Sequence, residues 1–236
     1  MTTEIYTSAS RGTADHGWLK SRHTFSFGSY HDAARMGFGL LRVINDDIVE
    51  PAMGFGTHPH ENMEIISIPL TGSLRHEDSM GNQHVIRAGE VQIMSAGTGI
   101  THSEYNHSDS EAVNFLQIWV LPKEINITPR YDQKLFEKEA RHNQFQLLVS
   151  PTGSDASVAI NQDAWFSLTD LDEGKSLTYE QNKTGSGIYL FILKGKTQIN
   201  SHTLNLRDAI AITETPSIKI DALEPSQILC MEIPML

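Results

Sequence analysis

The 236-residue chain has a single cysteine, Cys230, so it can form no internal disulfide, which fits a reducing compartment. No apolar run, 188–193 included, approaches the roughly 20 residues needed to span a bilayer. The opening residues, MTTEIYTSASRG, have neither the basic start nor the apolar core of a signal peptide. Basic residues are scarce: 18 Lys and Arg stand against 29 Asp and Glu, a formal net charge of −11. With no Lys/Arg cluster and an acidic surface that repels phosphate, direct nucleic-acid binding is excluded. There is no G-x-S-x-G elbow for a nucleophilic serine and no glycine loop to cradle a phosphate. A hydrophobic fraction of 39% is ordinary for a globular chain and argues against disorder. These absences leave a soluble, cytoplasmic, acidic protein whose 11 histidines demand explanation.

Short apolar alternations broken by Gly, Asn, Asp and Pro predict an all-β chain. Strands are expected at 39–44, 64–70, 84–87, 91–94 and 114–121. They resume at 145–149, 157–160, 176–179, 187–193, 209–212, 217–220 and 228–233. Only 133–143 (QKLFEKEARHN) reads as helical, and it lies in a candidate linker, 123–143, between units 1–122 and 144–236. Leu70-Thr71-Gly72-Ser73-Leu74 and Leu193-Lys194-Gly195-Lys196-Thr197 end apolar strands alike, a faint internal repeat that favours duplication. The histidines do not repeat: nine of the 11 precede residue 108. One unit therefore carries chemistry and the other is expected to have kept only the shell, without a metal site.

Two segments carry that chemistry. The first is Gly54-Phe55-Gly56-Thr57-His58-Pro59-His60, followed by Glu64; the second runs from Met94 to Ile100-Thr101-His102-Ser103-Glu104. Residues two apart on a strand share a face, so His58 pairs with His60 and His102 with Glu104. On facing strands they offer three imidazoles and one carboxylate, a set that suits one divalent transition metal with positions left open. A closed structural zinc site would need thiolates that the chain lacks.

The spacing resembles the cupin motifs. Glu64 stands four residues after the second His, where cupins carry a ligand, and Gly99, His102 and Asn106 match G-x-x-H-x-x-x-N. The stretch from Gly89 to Gly97-Thr98-Gly99 is longer than the usual cupin form, and a carboxylate accompanies its His. Those departures resemble the pirin family, as do three further segments. They are Arg22-His23-Thr24-Phe25-Ser26-Phe27-Gly28, His58-Pro59-His60-Glu61-Asn62-Met63-Glu64 and His76-Glu77-Asp78-Ser79-Met80-Gly81-Asn82. The resemblance implies a bicupin: two β-barrels of the double-stranded β-helix (jelly-roll) type, joined by a short linker helix. It implies a metal in the N-terminal barrel held by His58, His60, His102 and Glu104, with Fe(II) first and Mn, Cu, Ni, Co or Zn as alternatives. Glu104 is preferred over Glu64 as the carboxylate ligand and is also the expected base.

Further residues are assigned to the surroundings of that site. His23, Gln117 and Trp119, with Glu64, are candidates to support the metal or line the cavity. His76 and Asp78 flank a turn and read as its caps, so His76→Ala should keep metal where His60→Ala and His102→Ala lose it. Asp46-Asp47 reads as a turn and Cys230 as a buried apolar residue. The resemblance implies quercetin 2,3-dioxygenase activity: dioxygen opens the central ring of a flavonol and carbon monoxide is released. The alternative it implies is a redox-sensing protein that regulates a protein partner without turnover. A monomer is expected.

Overall fold

The computed structural model describes residues 1–153 and 157–236, and they are almost entirely β. Each half of the chain builds a barrel from a seven-stranded and a four-stranded sheet. The first seven-stranded sheet runs, edge to edge, Arg130–Leu135, Glu90–Ser95, Glu64–Thr71, Val113–Val120, Leu41–Val49, Leu19–His23 and Gly12–Asp15. Facing it are Gly54–His60, Ile100–Asn106, Ser73–Asp78 and Gln83–Arg87. The second barrel repeats the plan, with Ser186–Lys194 and Ser226–Pro234 central in its larger sheet.

The two large sheets pack face to face, and this explains the continuous apolar runs. Along Ser186–Lys194, Ile188, Leu190 and Ile192 fill the second barrel together with Ile210, Ile218 and Cys230. The alternate residues Tyr189, Phe191 and Leu193 turn outward and join Phe25, Ile44, Ile66, Leu116 and Ile118 of the first barrel in one core. A strand buried on both faces has no polar side to alternate with. The first barrel is filled differently. Leu19, Val49, Leu74, Ile86, Val113 and Phe115 plug one end, Ile65, Met94, Ala96 and Ile100 form a smaller apolar cluster with Trp119, and Ser67, His76, His102, Glu104 and Gln117 are buried polar residues.

The expected units 1–122, 123–143 and 144–236 are crossed twice by strand pairing. Thr2–Tyr6 pairs with Ala209–Thr213 of the second barrel, and Arg130–Leu135 pairs with Glu90–Ser95 of the first. The helix expected over 133–143 is accordingly corrected: its start is strand, and only Lys138–Arg141 makes a single 3₁₀ turn, with no side-chain cap. A short charged segment without an apolar stripe cannot recover the cost of nucleating a helix, whereas the sheet edge offers a ready ladder. The expected turn at Asp46-Asp47 is also corrected, since both lie within Leu41–Val49. Burial of Asp46 is offset by Arg11 and Arg207, at 3.7 and 3.3 Å.

Candidate metal centre

The strand Ile100–Asn106 organises the centre. On one side His102 is paired directly with His58, and on the other Glu104 is paired with His76, with a register shift between His102 and Glu104. Such a bulge re-aims one side chain relative to the next. Asn106 closes the strand, its amide donating to the carbonyls of Val49, Glu50 and Glu111.

His58, His60 and His102 converge as the spacing predicts. Their ring centroids are 4.8, 4.5 and 4.9 Å apart pairwise, and one nitrogen from each falls within 4.8 Å of the others. His58 Nδ1 lies 2.8 Å from the carbonyl of Gly56. A carbonyl only accepts, so Nδ1 carries the hydrogen and Nε2 keeps its lone pair for a metal. His102 is buried and neither of its ring nitrogens has a partner. Burial, with the neighbouring His58 and His76, pushes the His102 pKa down to about 3; burial, with His102 and His58, pushes that of His60 down to about 4. Both rings are therefore neutral at pH 7 and offer lone pairs, so the donor set fits a divalent cation.

Glu104 is buried, and both its oxygens are engaged. Ser67 Oγ donates to Oε1 at 2.9 Å and Gln117 Nε2 donates to Oε2 at 2.8 Å. It belongs to a second donor group with His102 and His76, again within 4.8 Å. Glu64 belongs to neither group. Its strand alternates, and Glu64 shares a face with Ile66 and Ile68 of the inter-barrel core while Ser67 faces Glu104. There the Glu64 carboxylate accepts from Ser95 Oγ at 2.8 Å and from the Asn161 N–H at 3.1 Å, and burial pushes its pKa up. The expectation that Glu64 lies beside the metal or in the cavity is corrected by that parity.

The other expected residues take distinct places. Gln117 holds Glu104. Trp119 stands edge-on to His60 with centroids 5.0 Å apart, its buried Nε1 unpartnered, and Phe27 packs on Trp119 at 5.3 Å. His23 is one ring further out, 5.4 Å from Phe27, bonded to Asn45 Oδ1 at 2.8 Å and near Ser21 Oγ. A depression of about 470 Å³ opens beside His60, lined by Pro59, Glu61, Ser79, Gly99, Ile100 and Thr101. A larger cleft of about 810 Å³ between the barrels, lined by Phe136, Arg141 and Leu229 among others, includes none of the donors.

Three residues escaped the sequence. Ser67 and Gln92 look like ordinary strand residues, yet Ser67 tethers Glu104 and both amide atoms of buried Gln92 are unpartnered. His76 is fully buried against Tyr131 and His102 rather than capping the turn, and only Asp78 caps it, accepting from the N–H groups of Met80 and Asn82. The signal was present: His76 and Asp78 are spaced like the other two pairs. Among the described residues of the second barrel no donor group of this kind occurs. Its buried Glu232 accepts from Tyr179 Oη, from the N–H and amide of Asn182 and from the Lys183 N–H, so that carboxylate is satisfied within the protein.

The chain is similar to known proteins along nearly its whole length. The Pirin family model matches residues 5–120, and that of the Quercetinase C-terminal cupin domain matches 147–233. A quercetin 2,3-dioxygenase of Escherichia coli K12 is 44% identical over 95% of each chain. A pirin-like protein of Caulobacter vibrioides is 41% identical over 94% of this chain and 95% of its own. The crystal structure of the bacterial pirin YhhW from Escherichia coli in complex with nickel(II) is 41% identical, with a TM-score of 0.94 over 100% of both chains.

Proposed function

This chain belongs to the pirin family, and from that premise we propose that its first barrel is a metal-dependent dioxygenase of the quercetin 2,3-dioxygenase type. The observation that carries the reading is the set of three converging imidazoles beside a locked carboxylate, with both nitrogens of buried His102 unpartnered. His58, His60, His102 and Glu104 would hold the ion, which we assign as Fe(II). When bound, it supplies a template for substrate and dioxygen and a relay for electrons between them.

The protein does the remainder. Glu104 is the group placed to take the proton of a flavonol 3-hydroxyl. The Ser67 hydroxyl can donate to Oε1 when Glu104 is ionised and accept from Oε1 when it is protonated, its hydrogen then turning to Gln117 Oε1, 3.4 Å away. Glu104 can thus gain or lose a proton without leaving a buried atom unpaired. Gln117 meanwhile fixes Oε2, so the carboxylate does not swing. Trp119 and Phe27 wall the site beside His60 with flat apolar rings that suit a planar aromatic substrate. The apolar plug around Phe115 closes the far end of the barrel to water.

In the overall reaction both atoms of dioxygen enter the ring-opened product and one carbon of the central ring leaves as carbon monoxide. Headspace analysis of the Fe(II)-loaded protein incubated with quercetin in air tests the reading. Carbon monoxide in proportion to flavonol consumed supports it. A protein that holds iron and releases none acts as a metal-containing partner protein instead.

A further inference from the structure

An imidazole that gives one nitrogen to a metal carries a hydrogen on the other, and proteins normally fix the ring by giving that hydrogen an acceptor. His58 has one in the carbonyl of Gly56. Buried His102 has none among the described residues, since neither of its ring nitrogens has a partner.

His76, on the neighbouring strand with its ring centroid 5.3 Å from that of His102, can supply it. Its side chain is fully buried, and Nε2 lies 3.1 Å from Asp78 Oδ2. A carboxylate accepts, so Nε2 carries the ring hydrogen and Nδ1 keeps its lone pair. Nδ1 is itself buried without a partner. One ring nitrogen of His76 lies within 4.8 Å of one of His102 without being bonded to it. A single water with two bonds of about 2.8 Å spans any gap up to about 5.6 Å.

Gln92 offers that water a third partner. Val91 and Ile93 belong to the inter-barrel core, so Gln92 between them faces the interior of the first barrel. It is in register with Ser67, whose hydroxyl reaches Glu104, and Glu104 is paired with His76. Both of its amide atoms are buried and unpartnered. Polar interiors of this kind are where buried waters sit, typically with about three hydrogen bonds each.

We propose that His76 is a positioning residue for the metal centre: through one buried water it fixes the ring of His102, while His58, His60, His102 and Glu104 remain the ligands. The water accepts the free N–H of His102, donates one hydrogen to His76 Nδ1 and gives the other to the Gln92 amide oxygen. Asp78, itself anchored by the N–H groups of Met80 and Asn82, orients His102 at one remove through His76. The inference rests on the metal centre proposed above but not on the reaction assigned to it.

The test uses the full chain loaded with nickel(II). A crystal structure is expected to show one water within about 3.2 Å of both His76 Nδ1 and the His102 nitrogen that faces away from the ion. His76→Phe keeps a ring against Tyr131 and removes the acceptor, so its nickel affinity is expected to fall about 10–100-fold. His76→Asn gives up that packing but keeps an oxygen close to the place of Nδ1, and is expected to bind nickel within about threefold of wild type. Nickel bonded to His76, or no water shared by the two rings, would overturn this inference alone. So would wild-type affinity in His76→Phe, or a loss in His76→Asn as large as in His76→Phe. A wild-type protein that takes up no nickel would overturn the metal centre along with it.

Discussion

Gln117 Nε2 donates to Glu104 Oε2 at 2.8 Å, spanning the barrel from the seven-stranded sheet to the four-stranded one. With Ser67 on the other oxygen, the bond settles the direction of the carboxylate before any ion arrives. Preorganised outer partners of this kind are commonly worth about 10–100-fold in metal affinity. Gln117→Leu is therefore expected to bind nickel about 10–100-fold more weakly, with its β-sheet circular dichroism spectrum unaltered. Isothermal titration checks it, and affinity equal to wild type would mean that Glu104 needs no tether.

The two buried glutamates should separate cleanly. Glu104→Gln is expected to lose most of the metal affinity, because an amide is a much poorer donor than a carboxylate. Glu64→Gln should keep metal binding within about twofold while losing about 1–2 kcal/mol of stability, since it weakens the bond to Ser95 and the bond to Asn161 that joins the halves of the chain. Metal titration and denaturant unfolding on the same two proteins measure both. The opposite assignment of effects would return Glu64 to the metal.

Removing an imidazole from the mouth of the barrel should abolish loading. His60→Ala and His102→Ala are each expected to emerge from gel filtration without stoichiometric metal, and His84→Ala to retain it. Equal metal content in all three would move the site elsewhere.

Asp47 supplies a pH-dependent signature. Its carboxyl is pushed up to about 7, chiefly by burial, with the charges of Asp46 and Glu104 adding and a hydrogen bond from Ser21 opposing. In the unfolded chain the value is about 3.9. The folded state thus binds this proton more tightly, so the contribution to stability is full below about pH 4 and is lost as pH rises through 7. Asp47→Asn removes the dependence. Relative to wild type the variant should gain stability between pH 4 and 7, at up to about 1.4 kcal/mol per pH unit, and the gap should be constant above that range. Urea unfolding at pH 5 and pH 8 reads the difference, and parallel profiles would contradict the buried titration.

What the sequence made legible was whatever depends on period two alone. His58 with His60 and His102 with Glu104 share faces because neighbours two apart on a strand must, and the all-β bicupin followed from the alternation and the pirin-like motifs. The choice between Glu64 and Glu104 was harder, because the strand from Glu64 to Thr71 is buried on both faces and its apolar residues do not mark the inward one. His76 was hidden by its neighbour: Asp78 does cap the turn, so a capping role for the pair seemed sufficient. The strand Arg130–Leu135 and the buried Asp46 depend on partners far along the chain, Glu90–Ser95 and the pair Arg11 and Arg207. No local pattern announces such partners.

The central claim is that the histidines of the first barrel support dioxygen chemistry on a flavonol. The most direct measurement is dioxygen consumption by Fe(II)-loaded protein on addition of quercetin, with His60→Ala as the control. The account predicts uptake of about one dioxygen per flavonol over many turnovers in the wild type and none above background in the variant. Iron bound at full stoichiometry with no uptake, or equal uptake by His60→Ala, would contradict it.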